Sequence, residues 1–372
     1  MRLLFLSDGL APFVVGGMQQ HSTMLVKHMA HLVDDITLMH CGKINEAPPD
    51  SDEIMEALGY PRNIVAIGAP FLDSGRLPGH YLRASKLLSQ SYFRLAGSLS
   101  AYDAIYAQGL TGYAFLNKHQ KVVVNLHGLN MFQPGFSMRE RVSKAWMRPL
   151  FRRLIRNAWK NISLGGKLSE LLLQQGAPHE SVVVLPNAIE DRWILSSEAL
   201  GKRTFLRKDM KPRFVMVGRN DYVKGLHVLR EAMKLLETPI ELHLIGNWPQ
   251  WDAGIHCVFH HGLIREKAEV MAKLDECDVL LMPSLSEGMP TVILEAMARG
   301  LGVIATDVGA VSDIVPSKWL IPPGNAEILA HSIRNAICCQ QNNLELFVWE
   351  LVANKTVNAL NQDVSPFITV EN

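Results

Sequence analysis

Glycine and proline frame a segment of the sequence that could bind an anion at the start of a helix. An apolar strand is predicted at Val279–Met282. Pro290 then suits the first position of the next helix, since its φ is fixed and it has no N–H to leave unpaired. The N–H groups of Thr291 and Val292 would point out of the helix start, where the helix dipole also favours negative charge. The loop before this helix carries Glu287, Gly288 and Met289. This arrangement predicts a bound phosphate.

Two carboxylates in this segment could contact the rest of such a ligand. Glu295 lies four residues after Thr291, so it shares that helix face about 5–6 Å further along the axis, by the pitch of the α-helix. That distance suits a carboxylate accepting hydrogen bonds from ribose hydroxyls. The alternative makes Glu287 a turn residue and Glu295 a surface charge. The placement of Pro290 and Gly288 favours the binding site.

Two cations follow the strand predicted at Phe214–Val217. Arg219 leaves the carboxyl end of this strand, and Lys224, before Gly225, is predicted at the start of the next helix. A lysine there opposes the helix dipole and costs a few tenths of a kcal/mol unless an anion is bound. Arginine offers a fork to phosphate oxygens and lysine a point charge. We expect the pair to bind a diphosphate; two solvated surface cations are the alternative.

The first half of the chain contributes a glycine pair and a histidine. Gly16 and Gly17 join the first strand to a helix, where glycine lets the backbone approach a ligand closely. His127, before Gly128, follows the apolar run Lys121–Leu126 at a carboxyl strand end. A purely structural histidine is the alternative to a catalytic one.

The elements that must position these residues alternate between short apolar runs and longer amphipathic stretches. Apolar runs without alternation are typical of parallel strands covered on both faces. The pattern occurs twice and predicts an α/β protein of two doubly wound Rossmann-like domains. Such sheets bind ligands at the carboxyl ends of their strands, so we expect the domains to face a central cleft. The predicted parts are residues 1–195, a linker at 196–212, residues 213–345, and a C-terminal helix within 346–372.

Composition narrows the classes of protein further. The 372 residues are 48% hydrophobic and 20% charged, which suits two buried cores rather than a disordered chain. Five cysteines match no zinc or redox spacing, and no apolar stretch reaches the ~18 residues of a membrane span. Asp50-Ser51-Asp52 has the form of a metal-binding DxD motif but precedes a helical run, so it predicts a helix cap. We therefore expect no metal, no nucleic-acid partner and reduced thiols.

These motifs together resemble the retaining GT-B glycosyltransferases of glycosyltransferase family 4, also called group 1, and the resemblance covers nearly the whole chain. It rests on Arg219 with Lys224-Gly225, Glu287 and Glu295 with seven residues between them, Gly16-Gly17, Asn125–Gly128 and Val184–Asn187. There are departures. The family usually has Asn-Gly-Val-Asp where this chain has Asn187-Ala188-Ile189-Glu190, and a serine where it has Gly165-Gly166.

The resemblance implies a metal-independent, retaining hexosyl transfer without cofactors. The donor would be a nucleotide-sugar of the UDP or GDP type, with its nucleotide in the second domain. Arg219 and Lys224 would stabilise the diphosphate, Glu287 would orient the sugar, and Glu295 would hold the ribose. His127 would contact the sugar from the other domain, and the C-terminal helix within 346–372 would return to the first domain. The acceptor would be a glycan or a lipid-linked glycan of bacterial cell-surface polysaccharide biosynthesis, and the enzyme would be cytoplasmic.

Two other functions fit the same architecture. A nucleotide-sugar 2-epimerase-like enzyme would lack the two glutamates together with Lys224-Gly225, and both are present. A non-catalytic nucleotide-sugar-binding subunit would be expected to lose one of the charged groups, and none is missing.

A basic stretch at residues 139–160 could concern the acceptor. It interleaves eight Lys and Arg residues with Trp146, Phe151 and Trp159. Basic amphipathic helices can lie on anionic membranes, so peripheral contact with the inner face of a membrane is a further expectation. A packed helix with a solvated basic face is the alternative.

Overall fold

The computed structural model describes residues 1–73, 75, 79–207, 211–336 and 344–362. The chain divides into two compact units. Unit 1 is Met1–Asn187 with the chain from Trp349, and unit 2 is Ala188–Val348. The boundary after the first domain lies at Asn187, earlier than the predicted residue 195. The segment after Asn187 belongs to unit 2, where Ile189 forms a β-bridge with Val348.

Unit 1 is built on a seven-stranded parallel sheet in the order β3-β2-β1-β4-β5-β6-β7. The strands are β1 Arg2–Leu6, β2 Asp35–His40, β3 Ile64–Gly68, β4 Ala104–Gln108, β5 Val122–Asn125, β6 Lys160–Ser163 and β7 Val182–Val184. Its first helices are α1 Gly17–Met29, α2 Ser51–Leu58, α3 His80–Leu95, α4 Met138–Asn157 and α5 Gly166–Gln174. The central strands β4 and β5 are buried along their whole length, as expected for a sheet covered on both faces.

Unit 2 repeats this plan with six parallel strands in the order β10-β9-β8-β11-β12-β13. The strands are β8 Arg213–Val217, β9 Glu241–Ile245, β10 Cys257–Gly262, β11 Val279–Met282, β12 Gly302–Thr306 and β13 Leu320–Ile321. The helices are α6 Ser197–Arg207, α7 Leu226–Lys234, α8 Lys267–Asp275, α9 Thr291–Ala298 and α10 Ala326–Arg334. The prediction of two doubly wound Rossmann-like domains is confirmed. In each sheet the strand order reverses beside the first strand, β1 or β8, where such folds bind ligands.

The last described helix is α11, Trp349–Asn361, and it lies in unit 1. The Trp349 ring lies 5.2 Å from the His21 ring on α1. Lys160 donates a hydrogen bond to the carbonyl oxygen of Ala359 at 2.6 Å, which ties the end of α11 to β6.

The interpretation of residues 196–212 as an irregular linker is wrong for residues 197–207, which form α6. Ser196 and Gly201 suggested a loop, but the Ser196 hydroxyl accepts a hydrogen bond from the backbone N–H of Ala199 and starts the helix. Arg203 donates to the carbonyl oxygen of Asp275 at 2.7 Å, so α6 packs within unit 2. Residues 208–210 of the predicted linker lie outside the described residues.

Asp50 and Glu53 exchange side-chain and backbone hydrogen bonds at the start of α2, so the cap predicted for Asp50-Ser51-Asp52 is confirmed. Cys41 and Cys277 are buried free thiols and Cys257 is an exposed one, whereas Cys338 and Cys339 lie outside the described residues.

The basic helix ends at Asn157 rather than at 160, because Ala158 is extended and leads directly into β6. Across the described chain, no helix combines the length and apolarity needed to cross a bilayer.

Candidate functional site

Glycines hold three loops of unit 2 together at the carboxyl edge of its sheet. Gly225 has φ +75°, and a β-carbon there would lie 2.0 Å from the carbonyl oxygen of Pro283. Gly309 has φ +59°, and a β-carbon there would lie 2.2 Å from the carbonyl oxygen of Gly288. Only glycine fits such approaches. The loops after β8, β11 and β12 are thus fixed against one another.

Lys224 and Glu287 meet across two of these loops. Lys224 Nζ lies 2.7 Å from Glu287 Oε1, and the two side chains are only 25% and 12% exposed. The prediction that Lys224 starts a helix is wrong. It ends a 3-10 turn capped by Asp221, and Gly225 separates it from α7. In this structure the Glu287 carboxylate therefore balances the charge of Lys224.

Arg219 lies beside this pair in sequence and is exposed. It follows Gly218, directly after β8, as predicted. Within the described part of the chain, the Arg219 guanidinium makes no ion pair. The loop therefore presents a free cation close in sequence to a paired one.

The start of α9 supplies backbone donors after the third loop. Pro290 is the N-cap of α9, with φ −71° and ψ 118°, so its predicted place as the first helical residue is wrong by one position. Thr291 and Val292 still lie in the first turn, where N–H groups have no carbonyl partner four residues back. Gly288 is held by a 2.9 Å hydrogen bond from the N–H of Ala310, and Met289 is buried.

Glu295 lies on α9 among charges that the sequence did not point to. Burial raises the pKa of its carboxyl to about 7, against the opposing effect of Lys267, and Glu190 raises it further. Lys267 forms an ion pair with Glu190, which also pairs with Arg192. Glu190 stands where the family that this chain resembles usually has an aspartate. That departure was the one feature of the sequence that drew attention to Glu190.

In unit 1, His127 lies in a network of neutral polar groups. Its Nε2 is 2.6 Å from Gln108 Oε1, its backbone N–H donates to Asn125 Oδ1 at 2.9 Å, and its ring meets the His21 ring edge at 5.0 Å. Burial, together with the positive charge that His21 can carry, holds the pKa of His127 well below its usual value. His21 is also neutral, since burial lowers its pKa to about 4. The ring of His127 can therefore exchange hydrogen bonds but carries no charge at neutral pH.

The loop after β1 brings a further carboxyl to this edge of the first sheet. Burial raises the pKa of Asp8 to about 7, and Asp8 accepts a hydrogen bond from Gln19 Nε2 at 3.2 Å. Gly16 caps α1, and a β-carbon there would lie 2.1 Å from Gln19 Oε1; Gly17 is the first residue of α1 and faces open space. Sequence reasoning missed Asp8, Gln108 and His21, because nothing local in the sequence shows which strand ends lie side by side.

Among residues that the structure describes, no three His, Cys, Asp or Glu side chains are grouped so that they could hold a metal ion. The donors at the carboxyl edge of unit 2 are backbone N–H groups and cations. Such groups bind anions directly.

Comparison with known families matches both halves of the chain. Residues 15–193 match the family described as Glycosyltransferase Family 4, and residues 211–338 match Glycosyl transferases group 1. An amylovoran biosynthesis glycosyltransferase of Erwinia amylovora is 29% identical over 180 residues, which are 43% of this chain and 42% of that protein. The chain spans about half the length, or less, of the first curated relatives that it matches.

Solved structures resemble the chain over nearly its whole length. HepE of Anabaena, solved in complex with UDP-glucose, has a TM-score of 0.62 at 19% identity and covers 97% of both chains. The lipopolysaccharide outer core galactosyltransferase WaaB has a TM-score of 0.67 at 16% identity, over 97% of this chain and 99% of that one. At these identities the likeness shows the fold alone, which is the GT-B fold of two Rossmann-like domains. With the two family matches, the chain belongs to the group 1 glycosyltransferases of glycosyltransferase family 4.

Proposed function

We propose that this protein is a retaining hexosyltransferase that uses a UDP- or GDP-sugar in bacterial cell-surface polysaccharide biosynthesis, with a glycan or lipid-linked acceptor. The observation that carries the proposal is the meeting of Lys224 and Glu287 beside the start of α9. A cation, a carboxylate and free N–H groups there can serve the diphosphate and the sugar of one ligand. The similarity to an amylovoran biosynthesis glycosyltransferase supports polysaccharide biosynthesis as the setting.

In this proposal, unit 2 stabilises the leaving group. Charge develops on the diphosphate as the glycosidic bond breaks. Lys224 and the N–H groups of Thr291 and Val292 are preorganised to receive it, and the exposed Arg219 side chain joins them when the ligand orders it. Glu287 keeps Lys224 in place and accepts hydrogen bonds from sugar hydroxyls. The Glu295 carboxylate accepts hydrogen bonds from the ribose.

The reaction needs no side-chain nucleophile. The acceptor hydroxyl attacks the anomeric carbon on the face that the diphosphate leaves. A carbon–oxygen bond forms as the bond to phosphate breaks, and the hydroxyl proton passes to the departing phosphate oxygen. The anomeric configuration is then retained. His127, neutral and hydrogen-bonded, contributes orientation rather than charge.

The stereochemistry of the product and the metal dependence of the reaction can be tested together. We expect release of UDP or GDP from one member of a nucleotide-sugar panel, undiminished in EDTA, and a product with the anomeric configuration of the donor by NMR. An inverted product would contradict the retaining mechanism. Loss of activity in EDTA, restored by Mn²⁺ or Mg²⁺, would contradict the metal-free one. An epimerised donor without transfer would identify the 2-epimerase reaction instead.

Donor binding is expected to weaken as the pH falls through 7. The Glu295 carboxyl has a pKa of about 7, and it is the ionised form that accepts hydrogen bonds freely from ribose hydroxyls. Between pH 8 and pH 6 its ionised fraction falls from about nine tenths to about one tenth, so affinity should fall by up to about tenfold. Calorimetric titration with an intact nucleotide-sugar, whose diphosphate does not titrate in this range, measures the change. Glu295→Gln should bind more weakly with no pH dependence; an equal slope in that variant would rule out Glu295 as the cause.

The proposed setting is the cytoplasm, with peripheral contact on the inner face of the membrane. A lipid-linked acceptor would require an enzyme of this kind to meet an anionic lipid surface. The basic character of α4 supports that contact.

A further inference from the structure

A groove in unit 1 lies between α3, α4 and the short turn at Tyr113. Its volume is about 490 Å³. Both helices follow strands of the first sheet, so both begin at the carboxyl edge that carries His127. The groove's lining residues on these helices lie in the first two turns of α3 and from the middle of α4 onward.

Three cations line the groove. Lys86 Nζ and Arg153 Cζ lie 5.1 and 5.6 Å from the centroid of the Tyr113 ring, and Arg83 is the third. None of the three has a carboxylate within 4 Å in the described parts of the chain. Asp73, whose pKa Arg83 helps to lower, is itself paired with His80 at 2.5 Å. The groove thus gathers positive charge that no ion pair among the described residues of unit 1 balances.

An exposed apolar stripe runs along α4 to the same groove. Met138, Val142 and Trp146 are spaced by four residues on one helix face, and they are 72%, 51% and 68% exposed. Trp146 also lines the groove. Large apolar side chains in such a row, bordered by cations, are typical of a surface that enters the headgroup region of a membrane.

The opposite face of α4 is the packed one, and it holds cations that the sequence suggested for a membrane surface. Lys144 is buried, forms a 2.6 Å ion pair with Glu140 and donates to the Pro134 carbonyl oxygen. Arg148 donates to the carbonyl oxygen of Met131. Of the residues at 139–160, the groove and the stripe use only Val142, Trp146, Pro149, Leu150 and Arg153.

We propose that this groove binds the phosphate headgroup of an anionic membrane lipid, while Met138, Val142 and Trp146 enter the lipid interface. Three cations around one cavity match a phosphate, and the adjoining stripe matches acyl chains. An acidic glycan would share the charge but would leave the stripe exposed to water. The inference deepens the proposed membrane contact and rests on the proposed function only for the membrane-linked acceptor.

Co-sedimentation of the full chain with vesicles tests the groove. The wild type should bind phosphatidylglycerol-containing vesicles at low salt and not phosphatidylcholine alone. Changing Arg83, Lys86 and Arg153 together to Glu should weaken binding by at least about a hundredfold, roughly fivefold for each cation lost before the repulsion of the new carboxylates is counted. Trp146→Ala should weaken it by about tenfold. The matched control changes the exposed Arg62, Arg94 and Lys118, which have the same total charge and lie outside the groove, to Glu.

The proposal is overturned if the wild type stays in the supernatant, or if the control variant loses as much binding as the groove variant. It is also overturned if an acidic oligosaccharide binds the groove cations with an affinity that Trp146→Ala leaves unchanged. Nucleotide binding by the groove variant should equal that of the wild type. A failure of the donor site would instead abolish nucleotide binding and leave vesicle binding intact, so the two failures are distinguishable.

Discussion

Lys224→Ala is expected to lower kcat/KM for the nucleotide-sugar by about a hundredfold to a thousandfold, the usual loss when a preorganised charge at a leaving group is removed. Lys224 is three-quarters buried and fixed by Glu287, so its ammonium is already in position when charge develops on the diphosphate. Steady-state kinetics with the true donor measure the loss. Arg219→Ala should show a smaller loss, since its exposed side chain must be ordered by the ligand.

The control for Lys224 has to separate chemistry from folding. Removing Lys224 takes its ion-pair partner from the partly buried Glu287 carboxylate, which itself costs stability. The double variant Lys224→Ala/Glu287→Gln removes that charge and should unfold near the wild-type temperature while remaining inactive. Lys234→Ala removes an exposed lysine that pairs with Glu231 and should keep full activity. Near-normal kcat/KM in both Lys224→Ala and Arg219→Ala would show that neither cation serves the diphosphate.

Gly225→Ala is expected to disrupt unit 2 and to abolish nucleotide binding. The new β-carbon would lie 2.0 Å from the Pro283 carbonyl oxygen, so one of the two loops has to move. The same junction holds a 2.7 Å hydrogen bond from Leu285 N–H to the Val223 carbonyl oxygen. We expect a loss of about 3 kcal/mol or more in unfolding free energy, from the collision added to the left-handed φ.

Gly254→Ala measures the stability cost of placing alanine at a left-handed φ without a collision. Gly254 has φ +60°, and a β-carbon there would meet nothing within 4 Å. This control should cost only about 1–2 kcal/mol and should leave nucleotide binding unchanged. Denaturant unfolding and calorimetry on both variants give the comparison. Equal losses would show that the contact between the loops contributes nothing to the site.

The sequence alone was sufficient to predict those elements that are marked by a local pattern of residues. Apolar runs located strands such as β8 and β11, and the residues after them proved to lie at carboxyl strand ends. Pro290 marked the start of α9 to within one residue, because proline is tolerated at a helix start and not inside it. β13 escaped detection, because two residues are too few for any periodicity.

Contacts between distant segments could not be read from local patterns. Lys224 and Glu287 are 63 residues apart, and their pairing appears only once β8 and β11 lie side by side. The groove on unit 1 likewise could not be predicted from local patterns. The clustering of cations along α4 was visible in the sequence, but which face packs depends on partners such as Pro134 and Met131, which are not on the helix.

Titration of UDP and of GDP into the wild-type protein and into Arg219→Ala/Lys224→Ala tests the central claim most directly. If unit 2 is a nucleotide-sugar site of the proposed kind, the wild type binds one of the two nucleotides. The double variant then binds it at least about tenfold more weakly, a loss of about 1.4 kcal/mol. Failure of the wild type to bind either nucleotide, or equal affinity in the double variant, would contradict the proposed function.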